Sequence, residues 1–443
     1  MWHRFPKSPR SKAPAGLKGR SRSSRAPSLL RREHGQVAVM AALLVTVMLG
    51  FAGLATDAGL FYAQRRQAQN GADNAAVAGA RIILEGGSAA SAQAAALDYA
   101  SANGYDTDVT VNIPPAAGEH AGDSNYVEVT VAEQPKTFFI QVLVPGSPSV
   151  QARGVAGLEE YPEPYALIVL DADDCQAYRQ QGGASLTVSG GGVMINSDCD
   201  PDALSKTGSG SISVEGSIDV HGGSDVGGSG SVSPAPETAG WTVNDPLAGL
   251  APPPRGAPAP GTTGTAANPQ TWRHNGGDLT LSPGTYYGGF YSNCTCTITM
   301  QPGIYIMSGG GFGKAGGAGF VGDGVMIYVT TNPANSSGDG GPLPFDLAGS
   351  GALDLSPPTS GTYQGITLWQ DAAITSSFKM RGSNDSINGV VYVPGATLDV
   401  SGDSTMGTVQ LIVNKFLLSG NAPLELTYGD YLDFDVPRVA LVE

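Results

Sequence analysis

From His34 to Thr56 the chain runs for 23 residues without a charged side chain, HGQVAVMAALLVTVMLGFAGLAT. A helix rises about 1.5 Å per residue, so roughly 20 apolar residues cross a hydrocarbon core of about 30 Å. Ten basic residues and one acid precede position 34, a net charge of +9. The remainder holds 14 basic and 38 acidic residues, a net of −24. A basic head could be a nucleic-acid arm, but an apolar span placed directly after it fits the positive-inside bias better. The expectation is a basic, disordered cytoplasmic tail over 1–33 and a transmembrane helix over 34–56. The chain is then single-pass in the cell (inner, cytoplasmic) membrane, with everything from Asp57 outside. A cleaved signal peptide is the alternative, with Ala52, Ala55 and Ala58 offering small residues for a cleavage site. The length of the span favours the anchor.

Good helix formers continue beyond the span, and 57–104 reads as helix ending near Asn103-Gly104. Ala72, Ala75, Ala76, Gly79 and Ala80 form a small-residue face that allows close helix packing. Gly53, Asp57, Gly71, Ala76 and Gly79 are the helix-packing candidates, and partner proteins are expected to dock there. Residues 107–113 and 125–132 alternate apolar and polar positions, which predicts strands. Phe138–Val144 and Val150–Leu158 are expected to complete a small sheet. The segment 57–160 thus reads as a helical stalk bearing a small sheet.

From about Tyr165 short β-rich runs recur between Gly, Asn, Ser and Asp turns, as in GVMINSD, GSISVEG, TCTITMQPGIYIMSG and GVVYVPGATLDVSG. Helical periodicity is nearly absent, which leaves a sandwich, barrel or solenoid. The repeated Gly-strand-turn unit favours a right-handed parallel β-helix over 165–435, since stacked repeats bury a face that none buries alone. The fold class expected is therefore mainly β, with an N-terminal transmembrane helix. Residues 234–270 are Pro-rich and read as an exposed loop or a linker between two stacks. Residues 331–342 read as a second loop, and Tyr428–Glu443 as a cap on the last repeat.

The N-terminal pattern resembles a known family. Gly53, Asp57, Tyr62, Arg65, Arg66, Gln67, Ala72, Asp73, Ala75, Ala76, Ala78, Gly79 and Ala80 stand where TadG-like proteins of the tight-adherence (Flp) pilus machinery carry matching residues. FFIQVLVPGSPSVQARGVAGL is similar to the end of the pilin-like region in that family. The resemblance implies an accessory, structural part in assembling or anchoring a surface pilus, with pilins and other pilus-assembly proteins as partners. It does not imply an enzyme. The chain departs from the family's wider pattern twice. Met40 stands where processed small pilins carry Glu, five residues after Gly35. YALIVLDADDC offers Asp171 but not the serines of a von Willebrand A-type metal site.

Four cysteines, Cys175, Cys199, Cys294 and Cys296, lie beyond the membrane, where disulfides persist. Three connectivities exist, and Cys175–Cys199 with Cys294–Cys296 is the first expectation. The five histidines make no metal-ligand spacing, and neither a cofactor motif nor a catalytic triad is read. A β-helix leaves one enzymatic alternative, a polysaccharide lyase or hydrolase built on Asp371, Asp385, Asp399 and Asp403 with Lys379 and Arg381. An adhesin touching cell-wall or surface glycans needs no such residues. The acidic body argues against nucleic acid.

Overall fold

The computed structural model describes residues 34–134, 137–140, 149–335, 343–382, 385–401, 404–421, 423–429, 431–432 and 434–442. The tail 1–33, most of the loop at 331–342, and Asp403 lie outside the described residues. The chain divides into two compact units, one of residues 1–63 with 135–148 and one of 64–134 with 149–443.

Helix α1 spans His34–Leu84 with no proline to interrupt it. Within it, Val37–Leu84 is the one helix among the described residues long and apolar enough to cross a membrane. In the first unit Val37, Met40, Leu43, Leu44, Val47, Met48 and Phe51 are each more than half exposed. A monomeric soluble protein does not leave so continuous an apolar surface open to water.

The helix expected over 57–104 is two helices. Gly86 takes a φ of +75°, a left-handed conformation that ends α1. Ser88 then caps α2 (Ala89–Ala102), its hydroxyl accepting the Ser91 N–H at 3.2 Å. Ala92, Ala96 and Ala100 recur every four residues along the buried face of α2.

Strands β1 (Val109–Asn112), β2 (Tyr126–Glu133) and β3 (Val150–Glu163) form an antiparallel sheet in that order. Its fourth strand is not the expected Phe138–Val144. Thr137–Ile140 make no strand, and 141–144 lie outside the described residues. The C-terminal strand Phe434–Leu441 fills the place instead, running antiparallel to β3 with Ala156 opposite Leu441 and Glu163 opposite Phe434. The segment assigned from sequence as a cap thus supplies an edge of the N-terminal sheet.

The β-rich remainder forms large parallel sheets in three columns of short strands. One column runs through Gly284–Tyr287, Gly303–Ser308, Val325–Thr330 and Ile366–Gln370 to the strands beginning at Gly389 and Ser404. There the chain order breaks. Ser404–Leu418 pairs with Tyr165–Val169, placing Leu411 beside Leu167, and the column continues through Gly192–Ile195 and Ile218–Val220. The second column shows the same break, with Phe416 beside Tyr178, and the third with Leu424 beside Leu186. The first and last β-segments of this region therefore meet in the middle of each column.

Residues 239–271 bridge the two far ends. Ala239 donates to Val220 O at 2.8 Å, and the Asn196 side chain pairs with both backbone groups of Val243. Asp245 accepts from Tyr392 Oη at 2.6 Å, and Ala251 O accepts from Tyr363 Oη at 3.0 Å. Arg255 reaches Ser308 and Thr330, and Gly256 N–H donates to Thr285 Oγ1. These contacts follow the first column in spatial order. The Pro-rich segment is thus a strap laid along the column, neither a free loop nor a linker.

Burial follows from that strap. First-column strands such as YALIV, VMIYVT and ITLWQ are buried at every position, one face in the interior and one under the strap. In the third column strands such as Thr297–Met300 and Pro423–Thr427 alternate. A sheet covered on both faces reads as a continuous apolar run, and one covered on a single face alternates. Inside, Phe290, Phe312, Phe345 and Phe378 form a ladder on successive strands with ring centroids 6.2, 6.1 and 4.5 Å apart, the outer two pairs stacked and the middle pair edge-to-face.

Candidate functional site: the small-residue face of the anchor helix

The packing candidates along α1 all meet the chain's own elements. In the first unit the Asp57 carboxylate is buried and accepts three backbone N–H groups. Phe138 donates to Oδ1 at 3.0 Å, and Phe139 and Ile140 donate to Oδ2 at 2.7 and 2.6 Å. A carboxylate accepting several N–H bonds makes strong charge-assisted contacts. One helical turn earlier, Gly53 gives the Phe139 ring its place. A Cβ there would stand 2.6 Å from Phe139 Cγ.

In the second unit the same logic recurs. The Tyr105 ring covers Gly71, where a Cβ would lie 2.5 Å from Cε2. Gly79 faces Val127 of β2 and Ala92 and Ala96 of α2, and Ala72, Ala75, Ala76 and Ala80 are fully buried. Gln69 donates to Asp73 Oδ1 at 2.7 Å and to Arg153 O at 2.6 Å, tying α1 to β3. Beside this contact the buried Glu128 carboxylate binds the Arg153 guanidinium at 2.5 Å, Asn112 Nδ2 at 2.9 Å and the Ala116 N–H at 2.9 Å. Burial alone would raise the Glu128 pKa, but the N–H and guanidinium contacts outweigh it and hold it below the usual range. Gln69, Tyr105, Glu128, Phe139 and Arg153 were not singled out from sequence, because nothing local marks them as partners of α1.

Partner proteins were expected to dock on this small-residue face, and the structure shows what the chain itself places there. Small residues do permit close approach, but the approaching groups are Tyr105, Phe139, Val127 and α2 of the same chain.

This segment is also where known proteins are matched. Residues 35–81 match the Tad family model, described as Putative Flp pilus-assembly TadE/G-like. No curated protein and no solved structure matches the chain. The Tad match takes in Gly53, Asp57, Gly71, Asp73, Ala76 and Gly79, and in this chain each of them contacts, or is buried by, a segment that follows it. The Tad-like segment is therefore packed by Phe138–Ile140 in the first unit, and by Tyr105, α2, β2 and β3 in the second.

Other sequence candidates fall elsewhere. Cys175 is disulfide-bonded to Cys199 and Cys294 to Cys296. The His274 ring lies with Cys294 and Cys296, and its Nε2 pairs with Gly277 O at 2.7 Å. Asp171 Oδ1 accepts from the N–H groups of Asp173 and Asp174, and its Oδ2 from Asn414. Through Asn414 it stitches the break in chain order.

Asp371 is held by the Tyr328 hydroxyl and by Thr330 Oγ1 at 2.6 Å. Burial would raise its pKa, but these bonds keep it low. It is not grouped with Lys379, Arg381 and Asp399, which do gather. Asp346, Lys379 and Asp399 stand side by side on successive strands, and Arg381 pairs with Asp346. Burial pushes the Asp399 carboxyl up, against the pull of Lys379 and Arg381. Next to them a groove of about 480 Å³ is lined by Arg273, Tyr291, Asp346 and Lys379, with the Arg273 guanidinium 5.4 Å from the Tyr291 ring centre. The side chain of Asp385 lies outside the described residues.

Proposed function

We propose that this chain is an accessory, structural protein of tight-adherence (Flp-type) pilus assembly, anchored by α1 in the cytoplasmic membrane with its N-terminus inside. Its β-rich bulk lies outside as a right-handed parallel β-helix, carried on a pilin-like stalk made of α1, α2 and the antiparallel sheet. The role is not enzymatic. One observation carries this reading: the Tad-like match at 35–81 falls on the segment whose Gly, Ala and Asp positions organise the stalk. The charge asymmetry supports the orientation. With the small-residue face already filled, the surface left for pilins or the assembly platform is the outside of the sheet and of the parallel columns.

The test is genetic. A strain lacking this chain should lose Flp-type surface pili by electron microscopy, and the intact gene should restore them. Normal piliation in the deletion strain rejects the reading. A second reading, glycan binding at the surface, is favoured by the groove at Arg273, Tyr291, Asp346 and Lys379. An aromatic ring beside charged hydrogen-bonding groups suits a sugar ring there.

A further inference from the structure

We infer that residues 137–140 form a second membrane contact, with Phe138 and Phe139 seated in the headgroup–acyl boundary beside the outer end of α1. The inference rests on reading α1 as a membrane anchor.

Depth is set by the helix. Val37 to Thr56 is one 20-residue apolar stretch, about 30 Å of helix at 1.5 Å per residue. Asp57 therefore stands just past the far edge of the hydrocarbon. The backbone of Phe138, Phe139 and Ile140 is pinned to its carboxylate by three hydrogen bonds, so these residues share its depth. The Phe139 ring reaches back to Gly53, one turn toward the bilayer centre. Phe138 is 67% exposed and Phe139 50%. In water, two open aromatic rings side by side would be an unfavourable surface. At a membrane interface aromatic rings are enriched because one side is apolar and the other wet.

The backbone chemistry agrees. Backbone N–H and C=O groups without partners are costly wherever lipid replaces water around them. Asp57 satisfies three consecutive N–H groups in this segment. The same carboxylate would then fix the segment and lower the cost of placing it against lipid. Gly53 and Asp57 both fall within the Tad-like match, and this gives them a joint purpose.

The experiment uses the full chain in phosphatidylethanolamine–phosphatidylglycerol vesicles. All four native cysteines are paired, so an environment-sensitive fluorophore can be attached at Phe138→Cys alone. Leu44→Cys reports on the span and Thr107→Cys on the stalk. Lipids carrying a nitroxide near the headgroup, or deep in the acyl chain, serve as quenchers. The expected result is blue-shifted emission at position 138, quenched most by the shallow nitroxide. Position 44 should be quenched by the deep one and position 107 by neither. Asp57→Asn should weaken quenching at 138 and leave position 44 unchanged. Water-like emission at 138 with lipid-like emission at 44 overturns the inference while the anchor stands. Water-like emission at 44 removes the anchor reading, and the inference with it. Unchanged quenching at 138 in Asp57→Asn overturns the pinning role given to that carboxylate.

Discussion

Leu411 and Leu167 are side-by-side partners in one parallel sheet, although almost the whole β-rich region separates them in sequence. The chain enters its parallel columns in the middle, builds toward one end, crosses back along the strap, and builds from the other end to meet its own beginning. Entry at Tyr165 and exit after Thr427 are thus neighbours. β3 and the strand Phe434–Leu441 can pair because both leave from that junction.

Deleting residues 404–443 tests this arrangement. In a simple stacked repeat the loss of the last segment trims one end and leaves the rest folded. Here it removes the middle of every column together with the fourth strand of the small sheet. The expected outcome is loss of cooperative unfolding and of most β-sheet circular dichroism. A loss merely proportional to the residues removed would count against the arrangement.

The strap should unlatch locally. Asn196→Ala removes two buried hydrogen bonds to Val243. Leaving that backbone unpaired costs about 2 kcal/mol. Hydrogen exchange should rise over 239–259 and stay unchanged in β1, β2 and β3. Uniform change across the protein would show that the strap is not a separate element.

Gly71→Ala drives a methyl into the Tyr105 ring. Overpacking of this kind costs about 1–3 kcal/mol, read as a lower melting temperature of the detergent-solubilised chain. Tyr105→Leu in the same chain should recover part of the loss. The double variant distinguishes ring overlap from a general intolerance of α1 to substitution.

Acid should loosen the small sheet through Glu128. Its folded-state pKa is depressed below the unfolded value of about 4.3. The stabilisation is therefore present above pH 4.3 and fades as pH falls toward the folded pKa. Glu128→Gln should cost about 1–3 kcal/mol at neutral pH and flatten this part of the acid profile. The check is urea unfolding of both proteins across pH 3–7.

Much of this was legible in the sequence for physical reasons. The uncharged span His34–Thr56 can hardly be anything but a long apolar helix. Runs such as YALIVL, GVMIYVT and TCTITM, set between Gly, Asn, Ser and Asp turns, foretell short strands. The order of strands within a column could not be read. Parallel pairing is non-local, and Leu167 carries no mark that distinguishes Leu411 from any other apolar strand residue as a neighbour. The strap looked like a loop because proline-rich composition reports extended backbone, not what lies beneath it. The small-residue face was visible, but composition does not say whether the group that fills it belongs to the same chain. Tyr105 and Phe139 lie far along the sequence from the glycines they cover.

The most direct measurement is affinity purification of the intact protein from cross-linked native membranes, with mass spectrometry of what accompanies it. A role in pilus assembly predicts Flp-type pilins and the membrane platform of the pilus machinery among the cross-linked partners. Recovery of cell-wall or surface glycan alone, with no pilus component, would contradict that role and favour the groove at Tyr291 as the working surface.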